Sequence, residues 1–234
     1  MKELIYLMNG RTPEKSTSFK NRMAKLQTQR FCWRDYVVSL RLAPPAWAGT
    51  RRLTDYVHML GSQTGEIWIA PELDPYFPGW RQPLPDPELA AHLLSEQPFR
   101  EILVVLLGKS PEHRNDWWQE CFLEGCFADL NGLYLVGAQE EETSDFFDWL
   151  YEQSGLPACF LKRLPDTDGR KTVVVDLCRE GRPPVREIAA GSIYLDLTSD
   201  PEKRRILKEK RTDISYISVR NYLDTAFKAR YNAI

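Results

Sequence analysis

Thr172-Val-Val-Val-Asp-Leu177 and Ser192-Ile-Tyr-Leu-Asp-Leu197 are near-duplicates, two short apolar runs that each close on an acid. Short runs of this composition read as strands, and their unbroken apolar character marks strands covered on both faces. In an open α/β sheet, ligands bind outside the carboxyl ends of the strands. Asp176 and Asp196 fall there if both runs join one sheet.

Glu101-Ile-Leu-Val-Val-Leu-Leu107 is a longer run of the same kind, and Leu133–Val136, Ala158–Leu161 and Ile214–Val219 read as further strands. Helical signals separate them. Asp86 is an N-cap with Pro87 in first position and Leu89 and Leu93 one turn apart, and Asp200 with Pro201 repeats the pattern. An aromatic helix is predicted around Trp117–Gly125, another near Asp145–Gln153 stopped by Gly155 and Pro157, and a last one through Leu223 and Phe227. Strands alternating with helices define an α/β class: a mixed, mostly parallel sheet with helices on both faces, a Rossmann-like three-layer sandwich. The mixed character rests on Pro165-Asp-Thr-Asp-Gly169, whose turn chemistry predicts an antiparallel hairpin between 158–161 and 172–177.

Toward the N-terminus, Glu3–Met8 reads as a strand that stops at Asn9-Gly10, and Phe19, Met23 and Leu26 have the spacing of one helix face. Asp35–Leu42 and Glu66–Ala70 read as strands, while Tyr56–Leu60 fits either element. Six prolines between Ala70 and Glu88 exclude a regular element there, and Tyr76, Phe77 and Trp80 among them predict a loop packed on the body. Residues 1–70 are thus a smaller N-terminal α/β lobe with a basic surface, 71–87 a connecting loop and 88–234 the main domain, the alternative being one continuous domain.

With 234 residues and 43% hydrophobic content the chain can bury a substantial core. It has no apolar stretch of membrane-spanning length and no secretory leader pattern, so no membrane association and a cytoplasmic location are expected. Five cysteines without C-x-x-C spacing argue against a disulfide framework and a zinc site. The formal net charge of −2 conceals an asymmetry, because residues 1–60 carry 11 Lys or Arg against 4 acids and residues 61–199 carry 11 against 24. Basic ends around an acidic middle suit a protein partner or an anionic ligand, and are compatible with a homo-oligomer.

Four constellations are candidates for chemistry. Asp176 and Asp196 together could hold Mg²⁺ against a phosphate or divide into acid and base; strand-end aspartates also commonly bond the next turn's N–H groups. Lys109 and Ser110, after Gly108 at a strand end, resemble the close of a phosphate-binding loop, but Leu103 stands where that spacing needs glycine. Lys20, Arg22, Lys25 and Arg30, interleaved with Phe19, Phe31 and Trp33, could neutralise an anion or nucleic acid while the aromatics stack or join a core. His58, His92 and His113 lack metal-ligand spacing. The sequence therefore favours an α/β binding or interaction protein. The alternative is a small metal-dependent enzyme acting on a nucleotide or phosphate ester around Asp176 and Asp196, with Mg²⁺ as its cofactor.

Overall fold

The computed structural model describes residues 2–10, 25–64, 67–97, 102–107, 130–137, 148–179 and 181–232. In chain order the strands are β1 (Lys2–Asn9), β2 (Gln27–Trp33), β3 (Tyr36–Ala43), β4 (Ile67–Ile69), β5 (Ile102–Leu106), β6 (Gly132–Val136), β7 (Ala158–Leu161), β8 (Val173–Asp176), β9 (Ile193–Asp196) and β10 (Ser215–Ser218). The helices are α1 (Arg51–Thr64), α2 (Pro87–Ser95), α3 (Pro201–Lys210) and α4 (Val219–Asn232), and residues 148–154 are also helical. The chain forms two compact units, one from Met1–Pro83 with Arg220–Ile234, the other from Leu84–Val219. The C-terminal helix, grouped with the second half in the sequence reading, thus belongs to the first unit.

The first unit holds a four-stranded sheet in the order β2-β3-β1-β4, with β1 parallel to β3 and β4 and β2 antiparallel to β3. Alternation along β1 divides the core between its faces. Ile5 and Leu7 pack with Leu53, Val57 and Leu60 of α1, which lie at i, i+4 and i+7. Tyr6 points the other way and meets Phe227 of α4 edge to face at 5.1 Å. Two elements differ from the sequence reading. β2 carries only a short strand signal, because its half-buried face mixes Gln29 with Phe31 and Trp33 at a sheet edge and apolar alternation spans too few residues. Pro71–Tyr76 forms a 3₁₀ helix within the proline-rich stretch, where i→i+3 bonding tolerates Pro75. Phe77 and Trp80 pack on the core, as the loop reading required.

The second unit holds a six-stranded sheet in the order β10-β9-β8-β5-β6-β7, parallel throughout. This corrects the expected hairpin: β7 is an edge strand, while β8 lies between β5 and β9. The turn chemistry at Pro165–Gly169 is present, with the Asp168 N–H bonding Asp166 Oδ1 at 3.0 Å and φ positive at Asp168 and Gly169. The turn only redirects the chain. Val173–Asp176 is buried at every position, so it requires neighbours on both sides and both faces, which an edge hairpin with half-buried β7 cannot supply. The order runs outward from β5 through β6 to β7 on one side and through β8 and β9 to β10 on the other. That is the strand order of the doubly wound dinucleotide-binding sheet, and the direction reverses between β5 and β8.

Candidate functional site

β8 and β9 pair in register with Asp176 opposite Asp196, and Leu106 at the end of β5 lies opposite Asp176. Alternation puts both acids on the same face as Val174 and Tyr194, the face that packs Leu207 of α3. Asp176 and Asp196 are respectively 1% and 0% exposed. Ionised groups so deeply buried need partners, and both acids have them.

Asp176 Oδ1 accepts from the Cys178 N–H at 2.7 Å, and its Oδ2 accepts from the Tyr194 hydroxyl and from Lys203 Nζ at 2.7 Å. Lys203, 2% exposed, also donates to the Cys178 carbonyl and to Thr198 Oγ1 at 3.3 Å, which accounts for its three ammonium hydrogens. Asp196 Oδ1 accepts from the N–H groups of Thr198 and Ser199, both at 3.0 Å, and from Thr198 Oγ1 at 2.6 Å. Its Oδ2 accepts from the Asp200 N–H at 2.9 Å and the Tyr216 hydroxyl at 2.7 Å. Those bonds hold Ser199 at φ +54, the left-handed turn that directs the chain into α3, where Asp200 caps the helix through the Glu202 N–H.

The electrostatics follow from this burial. Burial raises Asp196 to about 6, against the opposing effect of Lys203, with Asp176 adding to the rise. Burial, with Asp176 adjacent, pushes the Cys178 thiol up to about 12, and it drives the Tyr194 and Tyr216 phenols well above their ordinary range. The rings of Tyr194 and Tyr216 stack on each other at 6.3 Å and 15°. The structure thus brings Asp176 and Asp196 together, but as the fasteners of the loops after β8 and β9. Among the described residues no group of three or more His, Cys, Asp or Glu side chains could hold a metal ion.

The other sequence candidates are placed as follows. Lys109 and Ser110 lie outside the described residues, as do Lys20, Arg22 and His113. Lys25 is exposed, and Arg30 is an exposed partner of Glu3 at 3.8 Å. Of the aromatics beside them, Phe19 lies outside the described residues, while the half-buried Phe31 and Trp33 meet the buried Phe227 edge to face at 5.8 and 5.2 Å. His92 pairs with Glu96 within α2 and its C-cap at 2.8 Å, and His58 is exposed on α1.

The sequence reading missed Lys203, Tyr194 and Tyr216 as members of the acid cluster. One signal was available for Lys203, which shares a helix face with Ile206 and Leu207, both buried. A lysine on an apolar stripe either extends its ammonium to solvent or carries it to a buried partner, and Lys203 does the second.

No family model matches the chain, and no curated protein matches it. The class rests on the architecture alone: a Rossmann-like α/β protein with a six-strand parallel sheet and a four-strand mixed sheet flanked by helices. No helix among the described residues is long and apolar enough to cross a membrane.

Proposed function

We infer that the protein is a ligand-binding α/β protein whose site lies outside the carboxyl ends of β5 and β8, and that its ligand is a small anion of the nucleotide or sugar-phosphate class. One observation carries the reading: the strand order reverses direction between β5 and β8, the position at which open α/β sheets bind ligands. The β8–β9 loop carries three arginines (Arg179, Arg182, Arg186) against two glutamates (Glu180, Glu187), and the exposed Arg182 supports an anion at this strand end. Gly181, just before Arg182, adopts φ +103, a conformation nearly closed to other residues, and a Cβ there would meet nothing within 4 Å. Gly108, Lys109 and Ser110 follow β5 in the chain, so their phosphate-binding role remains part of this proposal.

Asp176 and Asp196 act in this reading as scaffold. Each would have to surrender several hydrogen bonds to take a metal or move a proton, and the cost of leaving those donors unpaired in a buried site weighs against the enzyme reading.

The experiment is a thermal-shift titration with AMP, ATP, NAD and ribose 5-phosphate at low and moderate salt, in wild type and the Arg182→Ala variant. A ligand confined to the folded state raises the melting temperature by mass action, about 2.7 kcal/mol at one hundred times its Kd. A saturable, salt-sensitive shift that weakens in the variant supports the proposal. The absence of any shift across the set overturns the anion assignment.

A further inference from the structure

The first unit is built from two stretches of chain separated by the whole of the second, and both ends of the interruption reach one residue. Ile69 is the last residue of β4, which among the described residues pairs with a strand on one side only, β1. In a strand, alternate residues turn their N–H and C=O groups to opposite edges, and the residues flanking Ile69 serve the β1 side, the Ala70 N–H bonding the Leu7 carbonyl at 2.8 Å before the chain turns away. Ile69 therefore presents its backbone groups to the open edge.

Side chains fill that edge in place of a strand. Gln82, 4% exposed, accepts from the Ile69 N–H at 3.0 Å and donates from Nε2 to the Ile69 carbonyl at 3.3 Å. Arg220, also 4% exposed, donates Nε to the same carbonyl, Nη2 to the Ala70 carbonyl at 2.9 Å, and its fork to both carboxylate oxygens of Asp74. Gln82 lies two residues before the second unit begins at Leu84, and Arg220 is the first residue after it ends at Val219. The last strand of the second unit passes into α4 without a loop, since β10 ends at Ser218 and α4 starts at Val219.

Further along α4 the attachment continues. Asp224 Oδ1 accepts from the buried Tyr6 hydroxyl at 2.9 Å, and Lys228 bonds Glu72 and Asp224, each at 2.8 Å. Phe227 fills the face opposite α1.

We propose that Gln82 and Arg220 form a two-sided lock on Ile69 that closes the edge of β4 and joins the two chain segments of the first unit into one cooperative unit, with the second unit inserted between them. Two physical costs make the lock necessary. An unpaired apolar edge such as Ile67-Trp68-Ile69 invites pairing with another chain. Holding two segments together across residues 84–219 also costs closure entropy, which contacts at the junction must offset. It follows that the first unit completes its fold only after the entire second unit and α4 have been made.

The test is native-state hydrogen exchange of the full chain, read by mass spectrometry, for wild type, Arg220→Met and Gln82→Leu. Both substitutions keep apolar volume while removing the lock's hydrogen bonds, and Gln82→Leu, which leaves no charge unpaired, serves if Arg220→Met does not fold. The expected result is exchange at least tenfold faster in β1, β3, β4 and α4 together, with β5, β8 and β9 within twofold of wild type. Acceleration confined to α4, acceleration shared by the second unit's strands, or no acceleration would each overturn the proposal.

Discussion

Lys203→Met tests whether the buried pair at the end of β8 holds the second unit together. The side chains of Lys203 and Asp176 are each 2% exposed and lie 2.7 Å apart, and the lysine also bonds the Cys178 carbonyl and Thr198 Oγ1. Methionine retains most of the apolar stem but removes the ammonium, so a carboxylate is left in the core with only the Cys178 N–H and the Tyr194 hydroxyl to stabilise it. Removing one partner of such a pair costs about 3–5 kcal/mol. For a protein of this size that corresponds to a fall of roughly 6–20 °C in Tm. Asp176→Asn in the same background removes the stranded charge while its amide oxygen can still accept from Cys178, so the double variant should be more stable than the sum of the single costs by about 1–3 kcal/mol. Urea unfolding supplies the four free energies of the cycle, and exchange rates of 173–177 and 193–197 assign them to the second unit. A Lys203→Met cost below about 1 kcal/mol, or strictly additive costs, would show that the buried pair does not hold the second unit together.

Asp196 gives the second unit a pH dependence of definite sign. Its folded value of about 6 lies above the ordinary 3.8, because burial outweighs the opposing Lys203, Thr198 and Tyr216, so the folded state holds the proton more tightly than the unfolded chain does. Its contribution is complete below pH 3.8 and is lost as pH rises through 6. Relative to Asp196→Asn, wild-type stability should therefore fall by about 1–3 kcal/mol between pH 4 and 7 in urea titrations; a constant or rising difference would contradict the assignment. Cys178, raised to about 12 by burial and by Asp176, should resist iodoacetamide at pH 8 until the protein unfolds, whereas Cys32 and Cys159 are exposed and should be labelled in the native state. Mapping the labelled peptides decides it, and early modification of Cys178 would show that its loop opens.

Much of the fold was legible where one residue's neighbours along the chain determine its state. The apolar runs that became β5, β8 and β9 needed no tertiary information, because a strand covered on both faces leaves no polar alternation. The caps at Asp86 and Asp200, each followed by proline, located the starts of α2 and α3, since N-capping is a bond between residues two or three apart. Tyr56–Leu60 was ambiguous only because the window was short: the helical spacing of α1 emerges when Leu53 is included with Val57 and Leu60.

Pairing, in contrast, was decided in three dimensions. The turn at Pro165–Gly169 fixes a local reversal but not the strand that receives the chain, and the burial of β8 sent it to the centre of the sheet rather than beside β7. The acid pair shows the same division: local pattern placed Asp176 and Asp196 at strand ends, while their partners come from across the sheet and from α3, Tyr194 and Lys203 for Asp176 and Tyr216 for Asp196. The same is true of α4, whose apolar face through Leu223 and Phe227 declared a helix but not its unit. Arg220 meets Ile69 across 151 positions of chain. No local pattern encodes such a contact, because its energy arises from burying a charge and an open strand edge that become neighbours only when the fold is complete.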